Sequence, residues 1–306
     1  MKQNRFRFFR LLTLILFAYC SIINGQEVEI KSVNINPNFQ VGERYKIEVF
    51  ESKSQERYSV LKDDVTSTIV HFEIIKDIND LKECSWKYGK VTKIGVDVDE
   101  NQNKLLNILN GIELKFLVDK NGIIQEILNF EDCKESILKA YRSIPEIENS
   151  GVLKNIRSSF ESPERFVTFL FPSLTLYFKI NGHQFYADSI NTSNSFIASP
   201  FGGSDIPSVN ITKIDSVNSN EVVISRTQTI KKEGLRDLII ETFKDLSQSN
   251  NRPFDESQVP KKIEISISEV YIYNHLSNIL LKASMNKVIE VDNMKIEQIF
   301  KVEIKK

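Results

Sequence analysis

The feature that most constrains the fold is a two-residue alternation of apolar and polar side chains that recurs between Lys262 and Lys306. One parity of its first stretch is apolar and holds Ile263, Ile265, Ile267, Tyr271 and Tyr273. Because successive strand side chains point to opposite faces, this stretch predicts a half-buried strand. Turn residues at 274–278 and Asp292-Asn293 separate it from two more alternating stretches, 281–285 and 294–304. The pattern predicts a three-strand antiparallel meander.

Upstream of the meander, the sequence mixes strand-like segments with helix-like ones. Asn121-Gly122 predicts a tight hairpin, and Asn181-Gly182 predicts a second one between strands 174–180 and 183–190. Helical spacing of apolar residues predicts helices over 131–144, 163–171 and 233–247. The fold class expected is therefore α+β: mostly antiparallel curved sheet, in one or two pieces, with helices packed on one side.

Two regions repeat the same order of elements. Residues 65–128 and 209–290 both read strand, strand, helix, strand, turn, strand. This predicts a ββαββ internal duplication, with coincidence as the alternative because no residue identity supports it. The domain prediction is a signal peptide over 1-25 and an α+β region over 26-306. That region has two similar halves (about 41-130 and 205-306) joined by a helical, aromatic-rich middle (131-204).

The N-terminus predicts export. Four basic residues precede a short apolar run, Leu11–Cys20, and Gly25 offers a small residue for cleavage. The run is shorter than the ~20 residues that a membrane span needs, so a cleaved secretory signal is favoured over an uncleaved anchor. Tyr19 stands where a lipobox requires a small residue, so lipid anchoring at Cys20 is not expected. We expect a secreted or periplasmic protein with no transmembrane segment after cleavage.

Two cysteines remain after the predicted cleavage, Cys84 and Cys133. In an oxidising compartment they could form one disulfide, and the alternative is a pair of buried free thiols. Spacing alone does not decide between these alternatives, because sequence cannot place the two within bonding distance.

The sequence offers no recognisable catalytic or metal motif. Its three histidines, His71, His183 and His275, lack metal-ligand spacing, and no nucleophile or phosphate-loop motif stands in the expected context. We therefore predict no catalytic residue, no metal and no cofactor. A hydrolase built from dispersed Asp, Glu and His residues is the least favoured function. The formal net charge of −1 gives no global field that would favour nucleic acid.

Aromatic residues concentrate between Phe160 and Phe201. The candidate ligand-binding residues in this region are Phe166, Phe169, Phe171, Tyr177, Phe178, Phe185 and Tyr186. One interpretation is the lining of an apolar cavity or a partner surface. The other is a core packed between helices and sheet.

Three features carry a resemblance: Gly25-Gln26, the stretch Val41-Gly42-Glu43-Arg44-Tyr45 and the paired sheet units. They resemble secreted β-rich proteins of Bacteroidetes-type bacteria. The sheet-with-helices outline is also similar to the LolA/LppX half-barrel carriers, whose curved sheet holds lipid acyl chains. The resemblance implies a non-enzymatic envelope protein that binds an apolar or amphipathic, lipid-like ligand. The alternative is a structural or partner-binding surface module with an envelope protein as its partner.

Overall fold

The computed structural model describes residues 32–58, 60–94, 100–144, 160–187, 189–197, 205–249 and 253–305. The predicted signal peptide, its cleavage site and Cys20 lie outside these ranges. None of the helices in the described ranges is both long and apolar enough to cross a membrane.

Strands dominate the described part of the chain. They are β1 (Ser32–Asn34), β2 (Arg44–Arg57), β3 (Val60–Ile78), β4 (Leu81–Tyr88), β5 (Thr92–Lys93), β6 (Glu113–Val118), β7 (Ile124–Ile127), β8 (Gln184–Tyr186), β9 (Asn191–Ile197), β10 (Ile206–Val217), β11 (Glu221–Ile230), β12 (Ile263–Asn274), β13 (Leu280–Val291) and β14 (Met294–Lys305). The helices are α1 (Glu100–Leu106), α2 (Phe130–Arg142), α3 (Pro163–Leu170), α4 (Pro172–Phe178) and α5 (Leu235–Ser249), with one 3-10 turn, Glu256–Gln258.

One large antiparallel sheet forms the body of the fold. Its strands lie side by side in the order β7-β6-β4-β3-β2-β14-β13-β12-β11-β10-β9, and β5 pairs with β3. The edge strands β7 and β9 do not pair with each other, so the curved sheet is open. Strands β1 and β8 form a separate two-stranded sheet. The predicted α+β class with a mostly antiparallel curved sheet is confirmed.

The C-terminal meander is formed by β12, β13 and β14, as predicted. Ile265 and Ile267 of β12 are buried in an apolar cluster, and Leu235 and Leu238 of α5 pack against that cluster. The helix therefore covers the first part of the strand. At the other end of the same face, the contact is with residue 181 and not with α5: the Tyr273 hydroxyl donates to the side chain of Asn181.

The core beside strands β2, β3, β4 and β6 is a cluster of aromatic rings centred on Phe72 in β3. Six ring centroids lie within 6.5 Å of its own, and they belong to Phe39, Tyr45, Trp86, Phe116, Tyr177 and Phe178. Tyr177 and Phe178 come from α4, so this short helix is held against the inner face of the sheet by ring contacts. Buried aromatic pairs of this kind contribute about 0.5–1.5 kcal/mol each beyond their area.

The strand predicted over 174–180 is wrong, because this segment is helix α4. Pro172 occupies its first turn, where a missing N–H costs nothing. Five of its seven residues are buried, so apolar side chains occur on every side of the helix. A short apolar run of this kind has no period that separates a buried helix from a buried strand.

The segment before residue 41, for which no element is predicted above, is also part of the fold. Val33, Ile35, Pro37 and Phe39 alternate with exposed residues and are buried. The backbone of Ile35 exchanges hydrogen bonds of 2.7 and 2.9 Å with the turn at 182–183. The second hairpin prediction therefore had the wrong partner, since β8 pairs with β1 and not with residues 174–180.

The two Asn-Gly turns lie against each other and need glycine. Gly122 has a φ of +76°, and a Cβ there would lie 2.4 Å from the Pro37 side chain. Gly182 has a φ of +77°, and a Cβ there would lie 2.6 Å from Ile123. Both positions combine a left-handed backbone with a contact that leaves no room for a side chain. The β6–β7 hairpin is thereby fixed against the N-terminal extended segment.

The two regions in which the order of elements repeats, 65–128 and 209–290, lie on opposite flanks of the sheet. The first runs through β3, β4, α1, β6 and β7, and the second through β10, β11, α5, β12 and β13. In each region, the longer strands that follow one another in the chain are also neighbours in the sheet. A helix lies in the connection between the second and third of these strands. The common origin of these halves remains a prediction.

Candidate ligand-binding groove and a buried ion cluster

A groove with a volume of about 540 Å³ lies on the inner face of the sheet, between strands β2, β3 and β14 and helices α1 to α3. Its apolar wall consists of Val49, Tyr88, Val91, Leu105, Leu106, Leu109, Tyr141, Phe169, Leu170, Pro172 and Phe300. Its polar wall consists of Glu51, Lys53, Asp64, Thr66, Thr68, Lys93 and Gln102. Ligand pockets typically enclose about 300–1,000 Å³, so the groove is large enough for a small organic ligand.

The groove changes from apolar to charged along the strands themselves. On the inner face of β2, Val49 is buried, Glu51 is half-buried and Lys53 is exposed. Strand β3 runs antiparallel beside it, with Thr68 opposite Val49 and Asp64 opposite Lys53. Alternate residues of a strand are about 7 Å apart, so the apolar and charged ends are separated by about 14 Å.

Most polar groups at the charged end have partners. Lys93 forms an ion pair with Asp64, and the Gln298 side chain donates to Glu51 at 2.8 Å. Lys53 forms no ion pair with any carboxylate in the described ranges. An anionic or zwitterionic group could therefore bind at this end without breaking a hydrogen bond that Lys53 already makes.

At the apolar end, Tyr88 is held in place by a short hydrogen bond between its hydroxyl and that of Ser173 in α4. Burial raises the pKa of Tyr88 to about 12, so its hydroxyl is neutral at physiological pH. The phenol therefore contributes an uncharged ring to the apolar wall.

The seven candidate ligand-binding aromatics separate into distinct environments. Phe166, Phe171, Tyr177 and Phe178 are buried among other rings. Phe169 is 53% exposed and lines the groove. Phe185 lines a second cavity, and Tyr186 is 50% exposed. Phe166, Phe171, Tyr177 and Phe178 therefore pack as a core, and Phe185 is also buried. A binding role for the set remains a prediction.

Cys84 and Cys133 are both buried free thiols, so the predicted alternative of a disulfide is not formed in the structure. The Cys133 thiol donates to the carbonyl of Glu113 at 3.4 Å. Burial raises the pKa of Cys84 to about 12 and that of Cys133 to about 11. Both are therefore protonated at neutral pH, and a thiol in that state is a poor nucleophile.

A cluster of charged residues is buried on the inner face of the sheet. Glu269 in β12 is 2% exposed and pairs with both Lys179 and Arg226, the latter at 2.9 Å. The Tyr271 hydroxyl donates to the same carboxylate at 2.8 Å. Burial by itself raises the pKa of Glu269, but Lys179 and Arg226 more than offset this and hold it below the ordinary value. Glu269 is thus a buried, ionised carboxylate whose two oxygens both have partners.

Lys287 lies close to this cluster without belonging to an ion pair in the described ranges. Burial and then the like charge of Lys179 lower the pKa of Lys287. In the sheet register, Lys287 lies opposite Gln298, which lies opposite Lys53. A row of polar side chains therefore crosses the inner face from the groove towards the ion cluster.

The sequence held a signal for this cluster that was not part of the predicted alternation. Glu269 has the same parity as Ile265, Ile267, Tyr271 and Tyr273, which is the buried parity of the strand. An acidic residue at a buried-parity position needs either a buried cation or a bound proton, because a lone buried charge is very costly. Its partners could not be identified in advance, since Lys179 and Arg226 lie far away in the sequence.

No group of three or more His, Cys, Asp and Glu side chains within the described ranges is arranged to hold a metal ion. His71, His183 and His275 are on separate elements, β3, the turn before β8 and the β12–β13 turn. The described residues therefore offer no specific observation in favour of the hydrolase alternative.

No family model matches the chain, and no curated protein matches it. Among solved structures, lipovitellin, in a study of its lipid–protein interactions, is similar over 88% of this chain at 11% identity and a TM-score of 0.46. This chain spans about a quarter of lipovitellin, since the alignment covers 25% of that protein. A mutant porin of Rh. blastica is similar over 86% of this chain and 100% of its own, at 7% identity and a TM-score of 0.21.

An outer membrane lipoprotein-sorting protein domain from Vibrio parahaemolyticus is also among the similar structures. The alignment covers 85% of this chain and 86% of that domain, at 7% identity and a TM-score of 0.14. All three TM-scores are below 0.5, and all three identities are 11% or less.

Proposed function

We propose that this protein is a non-enzymatic carrier or receptor that binds one amphipathic molecule with a single acyl or alkyl chain. The observation that supports this best is the 540 Å³ groove, in which one end is apolar and the other is charged. A chain lying along β2 would contact Val49 and Phe300, while its head group would reach Lys53. Covering apolar surface contributes about 25 cal/mol per Å², which makes such burial the main source of affinity.

The same proposal places the protein outside the cytoplasm, as a secreted or envelope protein. It rests on the basic and apolar pattern of the first 25 residues, which lie outside the described ranges. We expect the mature protein recovered from its host to begin at Gln26. Intact-mass measurement and N-terminal sequencing test this expectation, and a chain that still begins at Met1 would contradict it.

Binding is tested with palmitate that carries an environment-sensitive fluorophore, titrated into the full mature protein. We expect saturable binding of one probe per chain. Phe169→Ala should weaken it about tenfold, since losing a ring contact worth roughly 1–2 kcal/mol changes affinity by about that factor. The fold should tolerate this change, because Phe169 is 53% exposed.

The matched control is Phe196→Ala, which removes a ring that is 66% exposed and does not line the groove. Probe affinity should be unchanged in this variant. Equal losses in both variants, or no binding by the unaltered protein, would contradict the proposal. The second result would favour the alternative of a structural or partner-binding module. Native mass spectrometry of protein purified from its host then identifies a co-purified ligand.

A further inference from the structure

A second cavity, of about 300 Å³, lies on the inner face at the other flank of the sheet. It is enclosed by the residues that follow α4, by β8 and by strands β9 to β11. Among its lining residues only Ile180 and Phe185 are apolar. Lys179, His183 and Arg226 also line it, and no lining residue is acidic. The cavity is therefore polar and basic, unlike the groove.

The charged side chains around this cavity carry an excess of positive charge. Lys179 and Arg226 share one carboxylate, that of Glu269, whose oxygens are already occupied by these two residues and by Tyr271. Arg226 uses one of its five N–H donors in a hydrogen bond to a described residue. One positive charge and several guanidinium donors thus remain for a further anion.

Two side-chain amides in the cavity lining have no partner among the described residues. Asn210 is 6% exposed, and its Oδ1 accepts no hydrogen bond. The Nδ2 of Asn191 is buried and donates none. Buried polar groups are almost always satisfied, and an orphan costs about 1–3 kcal/mol. One unused acceptor and one unused donor in the same cavity call for a ligand that can both donate and accept.

We propose that this cavity binds a phosphate group, either as free phosphate or as the head group of a phosphate monoester. Phosphate offers anionic oxygens to Arg226, Lys179 and the Asn191 amide. Near neutral pH inorganic phosphate also retains a P–O–H group, which can donate to Asn210 Oδ1. A monoester has a second pKa of about 6, so it keeps such a proton only in its monoanionic form. Sulfate has the same shape and charge class but carries no such proton. Arg226 supplies the planar donor fork that suits phosphate oxygens.

The test is calorimetric titration of the full mature protein with inorganic phosphate, sulfate and lysophosphatidate. We expect phosphate to bind more tightly than sulfate, with affinity that falls as salt concentration rises. Arg226→Gln should weaken phosphate binding more than tenfold. If lysophosphatidate binds more tightly than phosphate and loses affinity in the same variant, the natural ligand is a lipid head group. If only phosphate binds, it is the free anion.

Because Arg226 also neutralises Glu269, Asn210→Leu provides a variant that should keep the fold. It replaces an unsatisfied amide by an apolar side chain of similar size, so the thermal midpoint should not fall while phosphate binding weakens several-fold. The control is Asn286→Leu, since Asn286 Oδ1 is also buried without a partner but lies outside the cavity. No binding of phosphate, equal affinity for sulfate, or equal effects of both Asn variants would overturn the proposal.

Discussion

Replacing Glu269 by alanine is expected to destabilise the protein by about 3–4 kcal/mol. The carboxylate is 2% exposed and neutralises Lys179 and Arg226, so its removal leaves two cations facing each other in a desolvated site. Breaking a buried pair by deleting one partner typically costs about 3–5 kcal/mol. The lower part of that range applies because the Lys179 side chain is 29% exposed and can regain water.

Chemical denaturation of Glu269→Ala and of Glu264→Ala gives the comparison. Glu264 lies on the same strand, but its side chain is 56% exposed and 3.7 Å from Lys262. An exposed pair of this kind contributes about 0–1 kcal/mol, so the control should unfold close to the unaltered protein. Similar midpoints for the two variants would show that the buried cluster does not stabilise the fold.

The same cluster makes stability depend on pH in acid. The pKa of Glu269 is lower in the folded chain than in the unfolded one, because Lys179 and Arg226 outweigh the effect of burial. Its contribution is therefore complete above the ordinary glutamate pKa of about 4.3 and is lost as the pH falls through the lower folded value. Glu269→Gln should reduce the loss of stability between pH 5 and pH 3 relative to the unaltered protein, as measured by the unfolding midpoint at each pH.

Phe72→Ala is expected to cost about 3–5 kcal/mol, the range for deleting a fully buried aromatic side chain. Phe72 is 0% exposed and contacts rings from β2, β4, β6 and α4. The cavity left behind would lie between α4 and the sheet, since Tyr177 and Phe178 both pack on this ring.

Phe72→Leu serves as the milder comparison, because a smaller apolar side chain leaves only part of that cavity. It should lose less than half of the free energy lost by the alanine variant. The exposed Phe196 again provides a control, and its truncation should change stability by less than about 0.5 kcal/mol. An unfolding midpoint for Phe72→Ala equal to that of Phe196→Ala would contradict a central role for Phe72.

The strand that carries Glu269 shows how much of the structure the local sequence pattern predicts. The alternation around β12 gave the strand, its buried face and the meander, because side-chain direction in a strand depends only on parity. Glu269 has the same buried parity, but its inward position was not part of that prediction. What it could not supply was Lys179 and Arg226, which reach that carboxylate from the end of α4 and from β11.

Helix α4 shows where the hydrophobic pattern of the sequence fails to predict the secondary structure. Its residues are apolar on every side because the helix is packed between the sheet and neighbouring helices, and such a segment carries no period. The segment around Ile35 is also missed by local pattern. Its buried residues alternate with asparagines, and its pairing partner β8 is about 150 residues away.

By itself, the sequence determined the α+β class, the C-terminal meander, the Asn121-Gly122 turn and the lack of a recognisable catalytic motif. These depend on neighbouring residues, whose spacing is fixed by the covalent chain. Only the tertiary structure decided that β2 pairs with β14, and that pairing unites the two halves in one sheet. It also decided that the aromatic region is mainly core, and that a groove and a basic cavity lie on the same inner face. Such features depend on contacts between residues far apart in the chain, which local periodicity does not encode.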